Sequence, residues 1–206
     1  GASDGRMLQP MADKSVNGTL IAFEPNPLFF AILEDKFNDY NNIRLENCAL
    51  FDKSGDAIYF NYSNNLWESG LSARYERMQN GESDNGEIEK IEIQTKRLDE
   101  YIDDFESLDL IKIDTESSEM NILLGGENLI RKFRPVILTE FSDDVKYFNH
   151  NQSELWDYTE RNNYYLCDLF GNKFSSKKQW VNYVKSVTWD FLLIPKEKYN
   201  DIIGKI

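Results

Sequence analysis

The sequence predicts an α/β fold: a mostly parallel sheet of seven strands, helices on both faces, and an antiparallel hairpin at one edge. Three observations predict it. Short apolar runs of strand length alternate with segments of helical spacing, the order that builds βαβ units. Three of those runs end in a carboxylate, at Glu24, Asp114 and Glu140, and open α/β sheets bind ligands outside the carboxyl ends of their strands. The last two runs have no evident helix between them, which suits an antiparallel closing pair. A chain of 206 residues, 41% of them apolar, suits one domain over 1–206 with a single core.

The elements follow in order. Residues 19–24 (Thr-Leu-Ile-Ala-Phe-Glu) read as a buried strand, broken by Pro25-Asn26-Pro27. Leu28, Phe29, Ile32, Leu33, Phe37 and Tyr40 then fall at helical spacing. Residues 43–50 read as the next strand. Residues 57–62 and 88–95 alternate polar and apolar and pair as a hairpin. The polar stretch 63–87 between them is long for a structureless loop and reads as a substrate loop or cap. Residues 98–105 predict a short helix. Residues 108–114 predict a third buried strand, and 117–133 a helix weakened at Gly125-Gly126. Strands at 136–141, 164–170 and 188–194, with a helix over 152–163, complete the order. A sheet of this kind needs a strand before its first glycine-rich turn, and that strand is expected upstream of Gly1.

Charge narrows the partners. Acidic residues outnumber basic ones 36 to 23, a formal net charge of -13. Such a surface repels nucleic-acid backbones and anionic membranes and tolerates neutral or cationic ligands. No apolar run reaches the length of a membrane span. Cys48 and Cys167 sit in apolar runs without a CxxC spacing, which reads as reduced, buried thiols in a cytoplasmic protein. One disulfide between them stays open at this level.

Four segments carry possible chemistry. Gly1-Ala2-Ser3-Asp4-Gly5 places glycines where a strand-to-helix turn would free backbone N–H groups for a ligand. The pattern is short, is not the G-x-G-x-x-G of dinucleotide folds, and also matches a leftover of an expression tag. Glu24 ends the next strand, where an acid accepts hydrogen bonds from both ribose hydroxyls of a nucleoside. Asn47-Cys48-Ala49 ends the strand after that, either beside the nucleoside base or as ordinary packing. Asp114-Thr115-Glu116-Ser117-Ser118-Glu119 holds three carboxylates. Ser117 reads as a helix N-cap there, with Glu116 and Glu119 on one helix face. No histidine lies nearby, so no metal site is assigned. Asp114, at the strand tip, is the candidate to orient a hydroxyl or take its proton. Glu140 repeats the arrangement one strand later. The one histidine, His150, lies in a polar stretch and reads as a surface residue. GxSxG, HExxH and Walker loops are absent from the sequence.

Taken together, Ile21-Ala22-Phe23-Glu24-Pro25-Asn26-Pro27, Cys48-Ala49-Leu50, residues 95–99, Ile111-Lys112-Ile113-Asp114-Thr115-Glu116-Ser117-Ser118-Glu119 and Arg134-Pro135-Val136-Ile137-Leu138-Thr139-Glu140 resemble the FkbM family of methyltransferases over residues 1–141. The resemblance implies a class I methyltransferase, a Rossmann-like sandwich, with S-adenosylmethionine as methyl donor. It implies O-methylation of a hydroxyl on a sugar or small secondary metabolite. Gly1, Ala2 and Gly5, with Ser3 between them, then match a G-A-x-x-G cofactor loop for the methionine moiety. Glu24 with Pro25 falls to the ribose, and Asp114 and Glu116 to the acceptor. Ser69-Gly70-Leu71-Ser72 resembles a small-residue segment of the family's middle loop, which puts Ser72 with Glu140 on the substrate side. One departure matters: the family usually has Gly-Ala where Ser117-Ser118 stand. That departure keeps a non-catalytic cofactor-binding module open as an alternative. A nicotinamide-dependent oxidoreductase on a similar sheet is a weaker one. A scaffold docking partners through Trp67, Trp156 and Trp180 is a third. The acceptor and the oligomeric state are not written in the sequence.

Overall fold

A computed structural model describes residues 1–62, 70–71, 88–184 and 190–205. They divide into two compact units, Gly1–Lys96 and Arg97–Ile206.

The first unit opens on the Gly1–Gly5 turn and a helix that the sequence reading missed, α1 (Leu8–Lys14). Strand β1 (Leu20–Phe23) follows, then α2 (Pro27–Lys36) and β2 (Ile43–Glu46). Strands β1 and β2 pair in parallel, Leu20 opposite Ile43 through Phe23 opposite Glu46. Helix α2 starts where the sequence says it must. Pro27 stands at the first helical position, and the Asn26 side chain accepts from the Leu28 N–H at 3.0 Å. Its Phe29 and Leu33, and Phe37 at its C-cap, are buried, while Leu28 and Ile32 stay exposed. Leu8, Ala22, Leu33 and Phe37 form the core between the two helices and the strand pair.

The run at 43–50 is not one strand. The Cys48 N–H donates to the Glu46 carbonyl at 3.0 Å, and this turn ends the pairing with β1. Ala49 and Leu50 form β3, which joins a different sheet, parallel to β6. The predicted hairpin is present as β4 (Gly55–Tyr62) and β6 (Ile88–Lys96), antiparallel in register from Gly55 opposite Thr95 to Tyr62 opposite Ile88. Gly70 and Leu71 form β5 on its outer side. The rest of the 63–87 stretch, Ser72 and Trp67 included, lies outside the described residues.

The second unit holds a four-stranded sheet in the order β7-β8-β10-β9. Here β7 is Leu110–Ile113, β8 Val136–Glu140, β9 Tyr164–Cys167 and β10 Asp190–Pro195. Strands β7 and β8 run parallel, and β10 is antiparallel to both β8 and β9, so the antiparallel edge pair is as expected. Strand β7 is only partly buried. The predicted helix at 117–133 starts late and splits into α3 (Glu119–Gly125) and α4 (Glu127–Phe133), at the glycines that weaken it. A side chain at Gly126 would meet Leu98 at 2.7 Å, so the break lets the chain lie close to a 3-10 turn, Leu98–Tyr101. From that turn Asp99 accepts from the Leu129 N–H at 2.9 Å and caps α4.

Helix α5 (Gln152–Arg161) is as expected. A helix not expected, α6 (Lys177–Tyr183), stands between the last two strands. Its Trp180 is fully buried against Phe141, Phe174 and Phe191 and donates its indole N–H to the Gln152 carbonyl at 2.6 Å. Trp180 is thus a core residue and no docking aromatic. A five-residue helix, α7 (Tyr199–Ile203), ends the described chain.

The described strands therefore form three sheets of two, four and four strands, parallel and antiparallel, with helices. Both cysteines are buried. Among the described residues, no helix is long and apolar enough to cross a membrane.

Candidate active site

The candidate residues fall into one group in each unit. In the first, Glu24 is 3% exposed and its carboxylate organises the Gly1–Gly5 turn. One oxygen accepts from the Ser3 N–H at 2.7 Å, the other from the Asn26 N–H at 2.9 Å. A buried carboxylate is tolerated only when hydrogen-bonded, and here two backbone donors meet that need. The Ala2 N–H donates to the Phe23 carbonyl at 3.0 Å. Gly1, Ala2 and Ser3 are thereby fastened to the carboxyl end of β1. Ser3 and Gly5 both take positive φ, 50° and 75°. At position 5 only glycine fits, because a Cβ would collide with Phe37 and come within 2.8 Å of Leu33. Asn47 closes the group, donating to the Glu24 carbonyl at 2.8 Å and the Pro25 carbonyl at 3.4 Å. An open depression of about 330 Å³ begins there, with Pro25, Asn47, Asp56 and Glu92 in its wall. The structure thus brings Gly1, Ala2, Ser3, Glu24, Pro25 and Asn47 together, with Cys48 and Ala49 next in the chain.

In the second unit the acids gather at the strand ends. Lys112 and Asp114 lie two apart on one extended segment, hence on one side of it, and the Lys112 ammonium donates to Asp114 at 2.8 Å. The Asp114 side chain keeps 42% of its exposure. Burial alone would raise its carboxyl. The ammonium and a hydrogen bond from Glu140 outweigh that and hold it below the usual value. Glu140 is pushed the other way, to about 8, by burial, by its hydrogen bond to Asp114 and by the charges of Asp114, Glu119 and Asp190. Asp190 stands directly opposite Glu140 in the β8–β10 register. It is raised as well, by burial and by Asp114, with Lys112 opposing. Of the pair, Asp114 is the more acidic and Glu140 the one that holds a proton more tightly.

Two expectations for this region are corrected. Ser117 is not a helix N-cap: α3 begins at Glu119 with Ser118 before it, and Ser117 sits at φ 88°. Glu116 sits at φ 58° in the same left-handed turn. It therefore shares no helix face with Glu119, whose carboxyl folds back into the turn. Glu24 directly follows β1 in the first unit, while Asp114 and Glu140 stand at the ends of β7 and β8 in the second. Lys112, Glu119 and Asp190 were missed as site residues. Lys112 had a signal in its two-residue spacing from Asp114, and Glu119 in the acidic cluster, where it was read only as sharing a helix face with Glu116. His150 is half-buried and bonded to Glu154 at 2.7 Å, away from any assigned chemistry. Among the described residues, no cluster of three histidine, cysteine or acidic side chains is placed to hold a metal ion.

Comparison with known proteins identifies the family. The profile of the methyltransferase FkbM domain matches residues 1–166. The chain belongs to the FkbM methyltransferase family. The match continues past Phe141, where the motif resemblance stops, through α5 and most of β9. The 2-O-methyltransferase NoeI of Sinorhizobium fredii is 29% identical over 155 residues, which cover 71% of this chain and 63% of NoeI. The chain thus spans under two thirds of that relative's length. A crystal structure of methyltransferase FkbM from Methylobacillus flagellatus superposes with a TM-score of 0.55 at 16% identity, over 94% of this chain and 41% of that one. At that identity the likeness shows a shared fold.

Proposed function

We propose that this FkbM methyltransferase transfers a methyl group from S-adenosylmethionine to a hydroxyl of a sugar or small metabolite. In this reading the two units belong to one Rossmann-like class I methyltransferase. The observation that carries the proposal is the cluster at the ends of β7 and β8, where Asp114 accepts from Lys112 at 2.8 Å and is hydrogen-bonded to Glu140. A sugar hydroxyl is a weak nucleophile, and an adjacent carboxylate aligns it by accepting its hydrogen bond. As a C–O bond forms, the hydroxyl proton becomes strongly acidic. Asp114 can then take it, even with a carboxyl held below the usual value. Lys112 keeps Asp114 ionised beforehand, and Glu140 is assigned to the acceptor; Ser72, outside the described residues, is assigned there by the family resemblance alone. Glu116, in the same turn, is assigned to the acceptor with Asp114. The relative named a 2-O-methyltransferase supports oxygen as the accepting atom.

The residues of the first unit fit the donor. Each Glu24 oxygen accepts one N–H and keeps lone-pair capacity, which suits a ribose diol. Gly1, Ala2, Ser3 and Gly5 would hold the methionine moiety, and Pro25, Asn47, Cys48 and Ala49 the adenosine. When bound, S-adenosylmethionine supplies an electrophilic methyl on a sulfonium.

The test is transfer of labelled methyl from S-adenosylmethionine to a panel of hexopyranosides with free hydroxyls, by wild type and Asp114→Asn. The expected result is transfer by wild type and a loss of about 10²-fold or more in the variant, with donor affinity unchanged. Full turnover in a folded Asp114→Asn variant would remove Asp114 from the mechanism. Donor binding without transfer to any acceptor would favour the non-catalytic module.

A further inference from the structure

The segment joining β7 to α3 turns left-handed at two consecutive residues, Glu116 (φ 58°) and Ser117 (φ 88°), and neither is glycine. Side chains with a Cβ do not hold that conformation unaided, so a neighbour must impose it. The neighbour is Glu119, 2% exposed. Its Oε1 accepts from the Thr115 N–H at 3.0 Å, the Thr115 hydroxyl at 3.1 Å and the Ser117 N–H at 3.2 Å. The Ser118 hydroxyl donates to the Thr115 hydroxyl at 3.0 Å and closes the ring. This clamp reaches Asp114 through covalent geometry. The Thr115 N–H belongs to the planar peptide that also carries the Asp114 carbonyl. Fixing that N–H fixes Asp114 ψ, and with it the direction in which the Asp114 side chain leaves the end of β7.

We infer that Glu119 is a positioning residue, whose buried carboxyl clamps the 115–117 turn and so aims the Asp114 carboxylate at its acceptor and at Glu140. The inference rests on the reading of Asp114 as the acceptor-orienting carboxylate. Glu119 itself touches no reacting atom. The groups around Glu140 are Asp114 and Lys112 from the β7 side, Glu119 from α3 and Asp190 from β10.

Glu119→Gln and Glu119→Met separate charge from geometry. Both remove the Glu119 charge and keep side-chain length, and only methionine removes the strong acceptor. In the full chain, amide hydrogen exchange at Thr115 and Ser117 reads the clamp. A carboxyl-carbon NMR titration of Asp114 and Glu140 reads the aim, which a change in overall stability would not move. The glutamine variant should keep both amides protected and the Glu140 titration well above the ordinary carboxylate range. The methionine variant should exchange both amides at least about tenfold faster, with Ile137 and Leu193 in the sheet unchanged. Its Glu140 titration should fall below that of the glutamine variant as the Asp114–Glu140 contact loosens. The inference is overturned if the methionine variant keeps the amide protection, or loses it while Glu140 titrates as in the glutamine variant. Should the methionine variant not fold, Thr115→Val, which deletes the clamp's hydroxyl donor, decides: faster Ser117 exchange with a lowered Glu140 titration supports the clamp, and neither change overturns it. Donor binding by wild type, measured by calorimetry, tests the methyltransferase reading separately.

Discussion

Glu140 couples the candidate site to stability. Its folded-state carboxyl lies near 8, against an ordinary value of 4.5. A raised acid contributes stability that is complete below the ordinary value and is lost as pH rises through the folded one. Thermal stability should therefore fall between about pH 5 and pH 9. Glu140→Gln should flatten that fall. Asp190 and Glu119, both raised chiefly by burial, add slope of the same sign, so the variant lessens the trend without abolishing it. Asp114, lowered, contributes stability only lost in acid, below this window. A melting series in which Glu140→Gln parallels wild type would contradict the assignment. At Ser117 the account is conformational. A serine at φ 88° costs roughly 1 kcal/mol or more relative to glycine. Ser117→Gly should raise the melting temperature by about 2–4 °C, while Ser118→Gly should not. This turn was hidden in the sequence because Thr-Glu-Ser-Ser contains no glycine to announce a positive φ. Lys112 was legible from strand alternation. Asp190 was not, because its place opposite Glu140 depends on a pairing between strands 50 residues apart.

Among elements, those with strong local signals were read correctly. The Pro25-Asn26-Pro27 break, the antiparallel pairing of 57–62 with 88–95 and the weak spot at Gly125-Gly126 each had a chemical cause visible in the chain. The errors came where tertiary pairing overrode local pattern. Residues 43–50 are continuous in β-propensity, yet the turn at Cys48 assigns their halves to different sheets. Helix α6 was missed because its seven residues bury only Trp180 and show little amphipathic repeat. The Gly1–Gly5 turn offers the sharpest test at this scale. Gly5→Ala forces a Cβ into Phe37 and Leu33 at φ 75°. It should lower stability by about 2 kcal/mol or more, roughly 5 °C in melting temperature. An alanine variant that melts with wild type would show that the turn is not packed as described.

Across the molecule, the α/β class and the family were legible because motifs at the strand ends fall in a fixed order over residues 1–141, within the 1–166 that the family profile matches. The distribution of strands over three sheets was not, since hydropathy reports burial and leaves pairing partners open. An excess of acidic over basic residues, -13 in formal charge, suits a cationic sulfonium ligand more than an anionic one, and the proposal assigns the specific donor contacts to Glu24. The most direct measurement is calorimetric binding of S-adenosylmethionine and S-adenosylhomocysteine to wild type and Glu24→Ala. The account predicts micromolar binding to wild type and a loss of at least about tenfold in a folded Glu24→Ala variant. Well-folded wild-type protein that binds neither ligand would contradict it.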